Sequence, residues 1–583
     1  MRETIQIEPE ARDILLPMVT EKIGQFDNTT VFLDTPLLGV GNSDLRWDLD
    51  SIARLAQAAQ LLDINPEYWA AAVAVRKEQA ETEAIDREDP LTAIEIREEY
   101  IRYLCDLGNF QQAIKLASVV TDGIIAASVQ HGTFDHSDEL NRRASISVQK
   151  RITLKPGQIY RDIAHALVEN GFLEKAIELT ALPEMAMHVH AIAYVLIKHH
   201  LSHGNTSGIL AIIDQAEDVF QAFSSDLWQR IHWNRVRNYA YNALGLLAIQ
   251  SGSIKEALSH IASVSYRILR IDYAIDAMDG LVVDANYKGV SVMAEAIFGE
   301  IAEGYSTVIE MPQDATFSLS DEAISPQNAA ERLAKLSLTL SKSGQYSDLV
   351  DRCLWGIHGD NTVGLFQAIE DTDEFVRPYL FTKVFEVFAA RDDFDGLAHY
   401  YGECCLAYPA RANDFHRAYA LLLAQRDEDE ARRIVSQIDT TQDRAKAFGH
   451  LVLAVLDSRN LLAWSSYIDE LKTLEDHVIG TDDEWDLDDL DMDGGPSDEI
   501  GLQKQEVSFG SFAVGYNLEE GEYKPSLPWI LRNIAIIALR RGEWEVFRQI
   551  LFHPYCTNYY AVDLVSEVAR ALNPANSFPK SHS

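Results

Sequence analysis

A short punctuation mark recurs along this chain: Gly108-Asn109-Phe110 with Ala113, Gly171-Phe172-Leu173 with Ala176, Gly252-Ser253-Ile254 with Ala257, Gly344-Gln345-Tyr346 with Leu349, and Gly542-Glu543-Trp544 with Phe547. Each reads as a helix, a glycine stop and a second helix. Glycine accepts the positive φ that ends the first helix, the apolar residue two places on closes the turn, and the residue five places on begins the next buried face. Two further copies lack the glycine but keep the pattern: Ala285-Asn286-Tyr287 with Val290, and Asp392-Asp393-Phe394 with Leu397. The steps from Gly171 to Gly204 and from Gly252 to Ala285 are both 33 residues, the length of one helix pair. A single pair cannot bury its apolar face, whereas stacked pairs can. The expected fold class is therefore all-α, a right-handed α-solenoid of helix-turn-helix repeats, and the default role of such an array is recognition of another macromolecule.

Charge narrows the partner. Lys and Arg number 50 against 90 Asp and Glu, a formal charge of −40, which repels a phosphate backbone and an anionic membrane. With 47% hydrophobic residues over 583 positions the chain has ample material for a core. Five cysteines without C-x-x-C spacing argue against a disulfide scaffold, and the acidic start at Met1-Arg2-Glu3-Thr4 has neither the basic residues nor the apolar run of a signal peptide. No apolar run approaches the roughly 20 residues of a membrane span. A cytoplasmic protein with a protein partner is the expectation, with no nucleic acid, membrane or cofactor.

The unit Leu244-Gly245, then Gly252-Ser253-Ile254 and Ala257, resembles the tetratricopeptide repeat, as does Gly108-Asn109-Phe110 with Ala113. The resemblance covers about two thirds of the chain, and most copies lack the Leu-Gly pair and the closing Pro. It implies a non-enzymatic scaffold, adaptor or regulator that holds its partner in a concave groove lined by first helices. Carried onto the matching first helices, the groove positions are Arg102, Arg161, His165, Tyr239, Asn242, Gln250, Lys342, Trp529, Arg532 and Arg540. A basic and aromatic lining of this kind suits an acidic or extended segment held by guanidinium forks and ring faces.

By composition the chain divides into a helical capping region at 1–86, helical repeats at 87–473 with insertions near 121–157 and 311–325, an acidic flexible linker at 474–525, a final helical repeat block at 526–573 and a tail at 574–583. The linker carries Asp486, Asp488, Asp489, Asp491 and Asp493 with no Lys or Arg from Asp482 to Glu499, so it repels itself and is expected to stay open. One alternative function follows from it: a sequestering inhibitor or latent factor whose acidic segment docks on the protein's own basic groove and is released by displacement or proteolysis. Asp489-x-Asp491-x-Asp493-Gly494 also opens like a calcium loop, but Ile500 occupies the place of the final carboxylate.

Other chemistry is thinly represented. His199 and His203 stand at i, i+4 and could share a metal, without a third ligand nearby in sequence. Cys404-Cys405 with His131 or His358 offers the raw materials of a Cys/His nucleophile in helical surroundings. The chain is therefore not expected to be an enzyme. Trp228, Trp233, Tyr239, Tyr241 and the pair Tyr400-Tyr401 read first as packing aromatics.

Overall fold

The computed structural model describes residues 11–27, 45–86, 90–131, 157–182, 185, 188–222, 227–305, 323–356, 363–458, 461–475, 527–556 and 558–572. Among them the regular structure is helical, apart from an isolated bridge between Tyr305 and Ile324. The first helices are α1 (Arg12–Asp27), α2 (Leu45–Leu62), α3 (Pro66–Asp86), α4 (Pro90–Asp106) and α5 (Phe110–His131). Next come α6 (157–169), α7 (Leu173–Glu178), α8 (Val189–Ser202), α9 (Thr206–Ala222), α10 (Leu227–Gln250), α11 (Ile254–Ala262), α12 (Arg267–Val283) and α13 (Tyr287–Gly304). They are followed by α14 (Pro326–Ser341), α15 (Ser347–Trp355), α16 (Leu365–Glu370), α17 (Arg377–Ala390), α18 (Phe394–Ala407) and α19 (Ala412–Leu423). The last are α20 (Glu428–Val435), α21 (Thr441–Ser458), α22 (Trp464–Glu475), α23 (Leu527–Arg541), α24 (Trp544–Leu551) and α25 (Asn558–Leu572).

One turn joins many of these helices. At Gly108, Gly171, Gly204, Gly252, Ala285, Asp392 and Gly542 the residue after the helix takes a positive φ. The amide of the following residue then donates back to the carbonyl five positions earlier, at 2.8–3.0 Å in all seven, as from Ser253 to Ala248 and from Asn286 to Leu281. This is the Schellman closure, which satisfies a carbonyl that the helix leaves orphaned. The donating residue is also the N-cap of the next helix, and its own carbonyl accepts from the amide four residues on. That last residue is Ala113, Ala176, Ile209, Ala257, Val290, Leu397 or Phe547, each 0% exposed. The spacing seen in sequence thus has a cause: the first bond of each second helix is anchored by a side chain sealed in the core.

Two copies hold the turn without glycine, Ala285 at φ 51° and Asp392 at φ 59°. Both are followed by a short polar N-cap, with Asn286 accepting from the Gly289 amide and Asp393 from the Gly396 amide. Gly344 is different. Its turn carries one more residue, α15 begins only after an N-cap at Tyr346, and the buried anchor becomes Val350, with Leu349 partly exposed. The expected face beginning at Leu349 is corrected by one position for this reason.

The helices form two units, Met1–Ser145 with Ala420–Ser583, and Ile146–Tyr419. In the second unit the leading helices of successive pairs lie side by side, α8 on α10, α10 on α12, α12 on α14 and α14 on α17. Trp233 is buried there at 3% exposure, and Tyr400 is stacked between Phe366 and Phe388; the side chain of Trp228 lies outside the described residues. In the first unit α25, at the far end of the sequence, packs on α1 and α2 as well as on α23. Buried Asp563 of α25 accepts from Arg54 of α2 at 2.9 Å and from Arg532 of α23 at 2.6 Å.

Where a loop was expected from Thr121, α5 runs on to His131; Thr121 bonds the carbonyl of Ala117 one turn back and stays helical. Residues 132–156 and 306–322, the remainder of both expected insertions up to the bridge at Ile324, lie outside the described residues, as does the acidic segment with Asp486, Asp488, Asp489, Asp491 and Asp493.

Candidate partner-binding face

Because leading helices adjoin in the second unit, residues from three of them meet. Tyr194 of α8 and Tyr239 of α10 stand with ring centroids 5.5 Å apart, tilted by 57°. Tyr273 of α12 is buried beside them, its phenol pushed above the ordinary range first by burial and then by Tyr194, Tyr239, Asp272 and Asp276. Asn242, one turn beyond Tyr239, is buried at 8% exposure, and its Oδ1 has no hydrogen-bond partner among the described residues. Gln250, at the end of the same helix, is exposed.

A ladder of ion pairs adjoins these rings. Asp272, Asp276 and Asp279 share one face of α12 at i, i+4, i+7 and meet Arg332 and Lys335 of α14 and its C-cap residue Lys342 at 2.9, 2.7 and 3.0 Å. Burial raises the carboxyl of Asp276 despite the opposing pull of Lys335. The paired side chains are 14–40% exposed, and with solvent still reaching them such pairs contribute on the order of 1 kcal/mol or less each, so the ladder orients the two helices more than it stabilises them.

The other groove candidates are engaged within the chain. Arg102 donates to Glu98 at 2.6 Å and to Glu99 at 2.7 Å. Arg161 stands 3.7 Å from Asp162. His165 lies 3.4 Å from Glu169, whose carboxyl is lowered chiefly by that hydrogen bond. Arg532 holds Asp563, and Trp529 meets His450 edge-on at 5.8 Å. Arg540 is exposed in the last turn of α23 and also has a partner within the chain. Arg102, Trp529, Arg532 and Arg540 belong to the first unit and Arg161, His165, Tyr239, Asn242, Gln250 and Lys342 to the second. An acidic ligand reaching Arg102, Lys342 or Arg532 has to displace a carboxylate already bound, which removes most of the advantage expected of a basic lining.

Tyr194, Tyr273 and the three aspartates were missed in the sequence. Aligning the pairs on their turn residues exposes part of the signal: Tyr239 stands 13 before Gly252 and Tyr273 stands 12 before Ala285.

His203 turns its Nδ1 to the carbonyl of His199 at 2.8 Å, with the two rings 4.1 Å apart. Among the described residues no group of three His, Cys, Asp or Glu is placed to hold a metal. Burial pushes the thiol of Cys404 up to about 12 and raises that of Cys405, the opposite of nucleophile activation. His358 and the side chain of His131 lie outside the described residues. Among the described residues no helix is long and apolar enough to cross a membrane. Comparison with known proteins finds no matching family model, no matching curated protein and no matching solved structure.

Proposed function

We propose that this chain is a non-enzymatic protein-binding scaffold or adaptor, a right-handed solenoid of tetratricopeptide-like pairs that engages its partner through the leading-helix face of the second unit. The observation that carries this reading is the meeting of Tyr194, Tyr239 and Tyr273 from three successive leading helices. Tyrosines bring large contact area at low entropic cost and concentrate binding energy at protein interfaces. Their supports are repeated units, as in arrays whose concave side is the recognition surface. With the basic candidates paired internally, aromatic contact by the partly exposed Tyr194 and Tyr239 carries recognition in this reading, with buried Tyr273 supporting them from beneath.

The test is an affinity pull-down from the native host comparing the intact protein, a Tyr194→Ala/Tyr239→Ala variant and a version lacking residues 480–525. Partner loss with the tyrosine variant and retention with the deletion is the expected result. A partner that appears or disappears only with the deletion moves the function to the acidic segment and to the latent-factor reading.

A further inference from the structure

The seam between α13 and α15, the second helices of successive pairs, contains one recognition motif twice. In one copy Arg352 of α15 lays its guanidinium over Phe298, 4.2 Å from the ring centroid, and pairs with Glu295, both on α13. The cation is therefore held between a ring and a carboxylate. One turn back along α15, from Arg352 to Asp348, and three along α13, from Phe298 to Tyr287, the same ingredients recur. Tyr287 opens α13, Tyr346 caps α15, and their ring centroids are 5.5 Å apart at 51°. Asp348 stands in the first turn of α15. With Ser291 and Gln345 these residues line an open cleft of about 300 Å³, whose lining includes no Lys or Arg.

The cleft depends on the irregular turn. The additional residue after Gly344 moves the N-cap one place on, to Tyr346, and so sets this ring at the mouth of the seam. Tyr287 donates its hydroxyl to the Gln345 carbonyl, which fixes the more exposed ring at one edge of the cleft. The hydroxyl of Tyr346 is buried and has no hydrogen-bond partner among the described residues.

We propose that this cleft binds an arginine or lysine side chain of a basic partner segment. The exposed ring of Tyr287, backed by the buried Tyr346, supplies cation–π attraction and Asp348 supplies the counter-charge, as Phe298 and Glu295 do for Arg352. A chain at −40 draws a basic segment toward it from a distance. The surface is separate from the leading-helix face, so each site can fail without the other.

The probe is a fluorescein-labelled Gly-Arg-Gly-Arg-Gly peptide followed by anisotropy with the full chain in about 0.15 M salt, where diffuse attraction is largely screened. Saturable binding is expected, lost when citrulline replaces arginine. Tyr287→Ala and Asp348→Asn each weaken it about five- to tenfold. Asp429→Asn, the same loss of charge at an exposed residue on α20, leaves it unchanged, and so does Tyr239→Ala. Thermal melts of the Asp348→Asn protein confirm that it folds. Absence of saturable binding overturns the proposal, as does an equal loss with Asp429→Asn, which marks diffuse electrostatics. If Tyr239→Ala alone abolishes peptide binding, the peptide occupies the leading-helix face and the cleft assignment is wrong.

Discussion

The two units are organised on different length scales. In the second, the turns at Gly171, Gly204, Gly252, Ala285 and Asp392 close over a few residues, and the leading helices α8, α10, α12, α14 and α17 rest on one another in succession. In the first, the decisive contact joins Arg54 to Asp563, 509 positions apart. Local repetition spreads stability over many similar bonds, so no single residue of the second unit is expected to dominate. Long-range closure concentrates it: the carboxylate of Asp563, 5% exposed, serves two guanidiniums on two other helices.

That contrast is broken most directly at Asp563. Asp563→Asn keeps the shape but removes the charge between Arg54 and Arg532, and breaking a buried pair from one side costs about 3 kcal/mol. Hydrogen exchange is the measurement. Protection in α2, α23 and α25 falls by about two orders of magnitude, following that free energy, while α10, α12 and α14 keep theirs. Equal loss in both sets makes the chain one cooperative block and ends the comparison.

The same contrast explains which parts of the fold were legible in the sequence. A helix stop that demands positive φ advertises itself as Gly252 or Gly542, and the buried anchor five places on keeps the copy recognisable at Ala285 and Asp392 after the glycine is gone. The turn at Gly344 misled by one position because the additional residue leaves the letters of the motif intact while moving the N-cap to Tyr346 and the anchor to Val350. The closure by Asp563 left no local trace, since neither periodicity nor spacing records a partner 509 residues away. At the candidate face Tyr239 was legible by its place before Gly252. The partners of Arg102 were in principle legible too, at i−3 and i−4, but those of Lys342 and Arg532 are 63 and 31 residues away.

Consecutive turns within the second unit sharpen the local half of the comparison. A Cβ on Gly252 meets nothing within 4 Å, so Gly252→Ala costs only the strain of a left-handed alanine, about 1 kcal/mol. At Ala285 the strain is already present at φ 51°. Ala285→Gly relieves it while giving freedom to the unfolded chain, for a net gain of about 0.5 kcal/mol. Denaturant midpoints read both changes. Opposite signs support one shared turn geometry, whereas destabilisation by both means that Ala285 is held by contacts of its methyl group rather than tolerated in spite of it.

The smallest effect concerns protons at the start of the second unit. His188 caps α8 and is buried against Gly157, where a Cβ would come 3.2 Å from its Nδ1. Burial lowers its pKa from the ordinary 6.5. The unfolded chain therefore takes up a proton near pH 6.5 while the folded chain resists it, and stability present above that pH is lost as pH falls toward the folded value. Burial and neighbouring imidazoles shift His199 and His200 the same way, with more solvent to screen them. Asp276 and Glu386 act oppositely: burial raises their carboxyls, so the folded state binds those protons first and stability from them rises as acid is added. The two effects have opposite sign, and replacing His188 removes only the share of its own imidazole. From pH 7.5 to 5.5 the unfolding midpoint of the second unit should therefore fall more steeply, or rise less, in the wild-type protein than in His188→Gln. An unchanged slope in the variant assigns the acid sensitivity to groups other than His188, among them the half-buried His199 and His200, and removes His188 from the account.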